Sequence, residues 1–83
     1  MKLPRDLSGE ALARSLHRHF GYRLTRQRGS HMTLTATSEG ESHSVTVPRH
    51  RQLSVGTLSA IISAVAAATN ENQGTVRKKL FGG

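Results

Sequence analysis

The period of the apolar residues changes at Gly21, and no other feature restricts the fold of this chain as tightly. Before that glycine, Leu12, Leu16 and Phe20, joined by Ala13, recur at spacings that place them on one face of a helix. After it, Tyr22 and Leu24 alternate with Arg23 and Thr25, then Met32, Leu34 and Ala36 with His31, Thr33 and Thr35, then Val45 and Val47 with Ser44 and Thr46. A side-chain period of two belongs to strands with one buried face. Beyond "VPRHRQL" the longer period returns: Leu58, Ile61, Ile62 and Val65 form an i, i+3, i+4, i+7 stripe with alanines around it.

The punctuation agrees with that order. Ser8 is a suitable N-cap, with Glu10 in the first turn and Leu7 placed to staple against Leu12, and Gly21 ends the helix. Gly29 and Ser30 mark one turn and "SEGES" a second, and Ser54 can cap the second helix. The expected fold is α+β: a two-layer α-β-β-β-α arrangement, its three-stranded antiparallel sheet carrying both helices on one face and leaving the other open to solvent. Residues 1–69 form the domain. Residues 70–83, polar, then basic, then glycine-ended, read as a flexible tail in which Arg77, Lys78 and Lys79 could add a phosphate contact. The tetrapeptide "GSHM" resembles the scar of a cleaved tag, but Met32 is in phase with Leu34 and Ala36, so it reads as native strand.

Eighty-three residues suffice for one small domain in which nearly every apolar residue is needed. The absence of cysteine excludes a disulfide framework and thiolate chemistry. The amino end has no apolar signal core, and "AIISAVAAA" is too short to span a bilayer, so the expectation is a cytoplasmic protein without a membrane partner. Twelve Lys and Arg against five Asp and Glu give a formal charge of +7, and nine of the twelve are arginines, which suit forked contacts to phosphate. The natural partner is RNA or another polyanion. Two Phe and one Tyr are too few for a base-stacking platform, so backbone and shape contacts are expected.

Strand register gathers the chemistry. Setting inward Leu24 opposite Leu34 places Gln27 opposite His31 across a three-residue turn. Setting Leu34 opposite Val47 leaves a four-residue turn at residues 39–42 and, extended past Pro48, places His50 opposite His31. His31 then points outward at a sheet end, ringed by Arg26, Arg28, Arg49, Arg51 and His50. An imidazole can take and give a proton near neutrality, and guanidinium groups can hold a phosphodiester and neutralise the charge its transition state gathers. These are the parts for RNA cleavage through the ribose 2′-hydroxyl, which need neither metal nor other cofactor. His17, His19 and His43 have weaker claims, and no spacing resembles a dedicated zinc site.

Several stretches resemble the HicA family of bacterial toxin–antitoxin mRNA interferases: "LSGEALARSL" leading into "GYRLTRQRGSHMTL", then "VTVPRH" and "LSVGTLSAII". The resemblance spans roughly residues 3–66, and its most specific parts are RQRGSH, the P-x-H of Pro48 and His50, and the GTL of the second helix. It implies a double-stranded-RNA-binding-like fold, a catalytic histidine at His31, a turn glycine at Gly29, mRNA cleavage, and inhibition by a HicB-type antitoxin. Tyr22 departs from the family's usual Phe and Val55 from its helix-starting Pro, and "MTLTAT" is less aromatic than the family pattern. The resulting expectation is a metal-independent mRNA endoribonuclease: His31 and His50 catalytic, with Arg26, Arg28, Gly29, Ser30, Arg49 and Arg51 on RNA. The alternatives are a non-catalytic double-stranded-RNA-binding module and an interaction protein that pairs through its sheet edge.

Overall fold

A computed structural model describes residues 3–82 of the chain. In order, it contains α1 (Gly9–Phe20), β1 (Arg23–Arg28), β2 (His31–Ser38), β3 (Glu41–Pro48), α2 (Val55–Thr69) and α3 (Gln73–Phe81). The strands form one antiparallel sheet in the order β1-β2-β3, and the helices pack on a single face of it. The double-stranded-RNA-binding-like arrangement expected from the sequence is therefore present.

Local chemistry explains the helix ends. The Ser8 hydroxyl accepts from the Ala11 N–H at 3.0 Å, and the Ser54 hydroxyl from Thr57 N–H at 3.1 Å. Gly21 closes α1 in the left-handed conformation, with φ 75°. The apolar stripes meet in one core in which Leu12 and Leu16 of α1 and Leu58, Ile62 and Val65 of α2 cover Leu34, Val45 and Val47 of the sheet.

Within the region read as a flexible tail, Gln73–Phe81 form a helix. Asn72 caps α3 by accepting the Thr75 N–H at 2.7 Å, and Val76 and Leu80, one helical turn apart, are buried. The helix packs on α1 and α2, and the Ser15 hydroxyl donates to the Leu80 carbonyl at 3.0 Å. Burial of two apolar side chains stabilises such a segment by about 1.5–3 kcal/mol each. With the Asn72 cap and the helix's own hydrogen bonds, those contacts offset the ordering of a polar stretch which composition alone marks as loose.

Both hairpins are tighter than expected. In the first, Leu24 does face Leu34, but Arg28, not Gln27, lies opposite His31, because a bulge at Thr25 takes up one residue and the turn is only Gly29-Ser30. Gly29 adopts φ 58°, the left-handed value that the first position of a two-residue hairpin turn can require. In the second, Met32 faces Val47 and Leu34 faces Val45, so the register is displaced by one pleat and the turn is Glu39-Gly40, both with positive φ. Pro48, not His50, therefore lies opposite His31. Leu24 has inner-face register but remains 52% exposed, because the helices pack over β3 and leave β1 uncovered.

Candidate active site

His31 is the first residue of β2 and follows directly from the Gly29-Ser30 turn. Directly opposed residues of an antiparallel sheet share a face, so Arg28, His31 and Pro48 line up across the sheet end with their side chains on the face the helices do not cover. His31 and Arg28 are exposed, and Arg26 joins them on this face through its pairing with Thr33. Among the described residues no hydrogen bond holds the His31 ring, which leaves both ring nitrogens available to a ligand.

The bulge at Thr25 decides which way the arginines point. Under plain alternation, Arg26 and Arg28 would follow Leu24 to the inner face. The extra residue reverses the phase, so that Arg23 before the bulge and Arg26 and Arg28 after it pair with Thr35, Thr33 and His31 and share the open face. Bulges beside active sites commonly redirect side chains in this way.

Beyond Pro48, the chain leaves the sheet and ties to the start of α1. The Arg49 N–H donates to the Ser30 carbonyl at 2.5 Å, prolonging the ladder beside the turn, and the His50 carbonyl accepts the Gly9 N–H at 2.9 Å. Gly9 is required there, since a β-carbon would overlap the Pro48 carbonyl. The structure thus brings together Arg26, Arg28, Gly29, Ser30 and His31. It does not set His50 opposite His31, and the Arg49 side chain points to Glu10, with Nε 3.4 Å from Oε1. His50 and Arg51 are exposed on the loop that leaves the same sheet end.

The other histidines have different roles. His43 Nδ1 lies 2.9 Å from the Tyr22 hydroxyl, its ring edge-on to the tyrosine, and His17 Nδ1 lies 2.9 Å from the Tyr22 carbonyl. Burial pushes the Tyr22 phenol above its usual pKa. A groove of about 710 Å³ between α1 and β1, floored by Tyr22, Leu34 and Leu80, does not include His31. The histidine stands on an open surface, where a polymer can reach it from several directions. Sequence reasoning left Arg23 out of the site although alternation already sets it on the face opposite Leu24, because it pairs with Thr35, four residues along β2 from His31.

No helix among the described residues is long and apolar enough to cross a membrane. Comparison with curated proteins and with solved structures finds no significant match. A family model described as the HicA toxin of bacterial toxin–antitoxin matches residues 12–66, a segment that runs from α1 through the sheet and the His31 turn into α2. That segment is more than half of the chain and contains the amphipathic helix, the GSH turn and the Leu/Ile-rich helix, and the chain belongs to the HicA family, the toxins of toxin–antitoxin pairs, whose counterpart is an antitoxin.

Proposed function

We propose that this toxin is a metal-independent endoribonuclease that cleaves mRNA in the cytoplasm with His31 as its catalytic residue. The observation that carries the reading is the open-face alignment of His31 with Arg28 and Arg26, two guanidinium groups with no carboxylate paired to them among the described residues. Guanidinium groups in that position hold a phosphodiester and offset the charge that builds on its oxygens. The Ser30 and Gly29 turn fixes where β2 begins, and hence where the imidazole stands.

The chemistry follows from the substrate's own nucleophile. A base removes the proton of the ribose 2′-hydroxyl, the 2′-oxygen attacks the adjacent phosphorus, and the bond to the 5′-oxygen breaks as that oxygen takes a proton. The products are a 2′,3′-cyclic phosphate and a 5′-hydroxyl. His31 performs one of the two proton transfers, and His50 or water the other. Arg51 and Arg49, on the loop leaving the same sheet end, contribute phosphate contacts, Arg49 through exchange of its half-exposed Glu10 pairing. An antitoxin of the HicB type would silence the enzyme by covering this surface.

Wild type, His31→Ala and His50→Ala are incubated with a defined mRNA in EDTA. Fragments from wild type and His50→Ala, but none from His31→Ala, support a metal-free ribonuclease whose second proton comes from water. Loss in both variants assigns the second transfer to His50. Intact RNA bound equally by wild type and His31→Ala reduces the protein to a binding module.

A further inference from the structure

The whole uncovered face of the sheet, not only its His31 end, has a composition of its own. By register it carries Arg23, Arg26 and Arg28 along β1, then His31, Thr33, Thr35 and Thr37 on β2, and Ser42, Ser44, Thr46 and Pro48 on β3. No acidic residue and no large apolar residue lies among them. The carboxylates of this hairpin go elsewhere: Glu41 pairs with Ser38 on the inner face and Glu39 sits in the turn. Across the middle of the face the Thr25, Thr35 and Ser44 hydroxyls are joined edge to edge, at 2.9 Å and 2.8 Å, linking all three strands.

We propose that this face is the track on which a single strand of RNA lies as it reaches His31, with its phosphates along the β1 arginines and its 2′-hydroxyls over the threonine and serine rows. The inference rests on the ribonuclease reading and adds to it the strandedness of the substrate, its course, and Arg23, Thr25, Thr35 and Ser44 as binding residues. Short hydroxyl side chains keep the surface low and flat, so that an extended polymer can lie against it. Each hydroxyl offers one donor and two acceptor positions, and a ribose 2′-hydroxyl offers the same, so the pairing favours RNA over DNA. Adjacent arginines on this face face strand positions two residues apart, a step of about 6.8 Å along the strand. The cleaved strand cannot be in a regular duplex, because stacking holds the 2′-oxygen out of line with the departing 5′-oxygen.

A charged edge strand also discourages sheet edges from pairing with one another, and this is the competing account of the arginines. That account requires charges of either sign on either face. It does not require that a bulge turn Arg26 and Arg28 to the face that Arg23 already occupies, nor that the same face exclude acids.

The test measures binding of a fluorescein-labelled, unstructured RNA oligonucleotide by anisotropy across a salt series, in a His31→Ala background so that nothing is cleaved. Arg23→Ala is expected to weaken binding roughly threefold to tenfold and to reduce the salt slope by about 0.7, the value for one lost contact to a single strand. Arg18→Ala, an equal loss of charge on α1, is expected to leave the slope in place. Thr35→Val, which removes the central hydroxyl with little change in volume, is expected to narrow the preference for RNA over the DNA of matching sequence. The proposal is overturned if Arg18→Ala matches or exceeds Arg23→Ala, or if Arg23→Ala binds as its parent does. Should fragments still appear with wild type in that event, the ribonuclease reading stands and only the track is lost. If wild type produces none, the ribonuclease reading fails on its own terms.

Discussion

The two edges of the sheet are built differently. β3 lies beneath α1 and α2: Val47 is fully buried, Val45 nearly so, and Gly9 of α1 rests against the Pro48 carbonyl. β1 has no helix over it, all six of its residues are exposed, and Leu24 shows half its surface to solvent although its partner Leu34 is buried. Stability is therefore concentrated along β3, while β1 is held by its ladder to β2 and by hydroxyl bonds such as that of Thr25 to Thr35. An edge that carries little of the folding energy is free to carry charge, a bulge and a reactive histidine beside it. The division implies that function and stability can be damaged separately.

The largest effect should come from the open side. His31→Ala is expected to lower RNA cleavage at least about 100-fold, the lower range for loss of a general acid or base, without moving the urea unfolding midpoint. A parallel fall in stability would break the separation. On the covered side, Gly9→Ala is expected to destabilise the fold by about 3 kcal/mol, the upper range for forcing atoms into a packed contact. The clash is with backbone and cannot be relieved by turning a side chain. Its signature is an early unfolding midpoint, with cleavage per folded molecule retained. A domain of this size has a total stability of only about 4–12 kcal/mol, so such a loss is large.

Val76→Ala tests whether α3 belongs to the covered side. It should cost about 2 kcal/mol by removing buried methyl groups, whereas an ordering role confined to the tail would leave the urea midpoint where it is. Leu24→Ala supplies the contrast within the sheet: with half its surface already in water, it should change stability by less than about 0.5 kcal/mol. A loss near that of Val76→Ala would show that β1 is more deeply packed than its exposure indicates.

What could be read in the sequence and what could not divide along the same line. The inner-face residues of β2 and β3 were legible from alternation, because burial on one side imposes a period of two that only pairing can satisfy. Ser8, Gly21 and Ser54 were legible because cap chemistry is local. The pairing of His31 was not, since it depends on the lengths of two turns, and Glu39 is an unusual residue for a left-handed position. Nor was the bulge at Thr25, and with it the reason that Arg26 and Arg28 share the His31 face. For α3 the signals were present: Asn72 as cap, then Val76 and Leu80 four residues apart. They were outweighed by polar neighbours whose cost of ordering is offset only by contacts with α1 and α2. Among the site residues, the GSH turn identified His31, whereas a P-x-H spacing did not fix where His50 stands once the strand had ended.

Tyr22 joins the two regimes and gives the most local test of them. It lies at the entrance to β1, is buried to 1% exposure, and reaches the covered side through its hydroxyl bond to His43 on β3. Desolvation raises its pKa in the folded state above the usual value of about 10 that the unfolded chain retains. A raised pKa means that the folded state binds the proton more tightly. The associated stability is therefore complete below the unfolded pKa and declines as pH rises through that value toward the folded one. Because the chain has one tyrosine and no tryptophan, the ultraviolet absorbance of phenolate reports this group alone. Titration of the folded protein should give a later midpoint than titration in urea. Tyr22→Phe should remove that part of the alkaline loss that survives correction for lysine, while costing about 1 kcal/mol at neutral pH for the missing hydrogen bond. Coincident midpoints in the two titrations would mean that water reaches the phenol, and that the β1 entrance is as open as the strand it leads into.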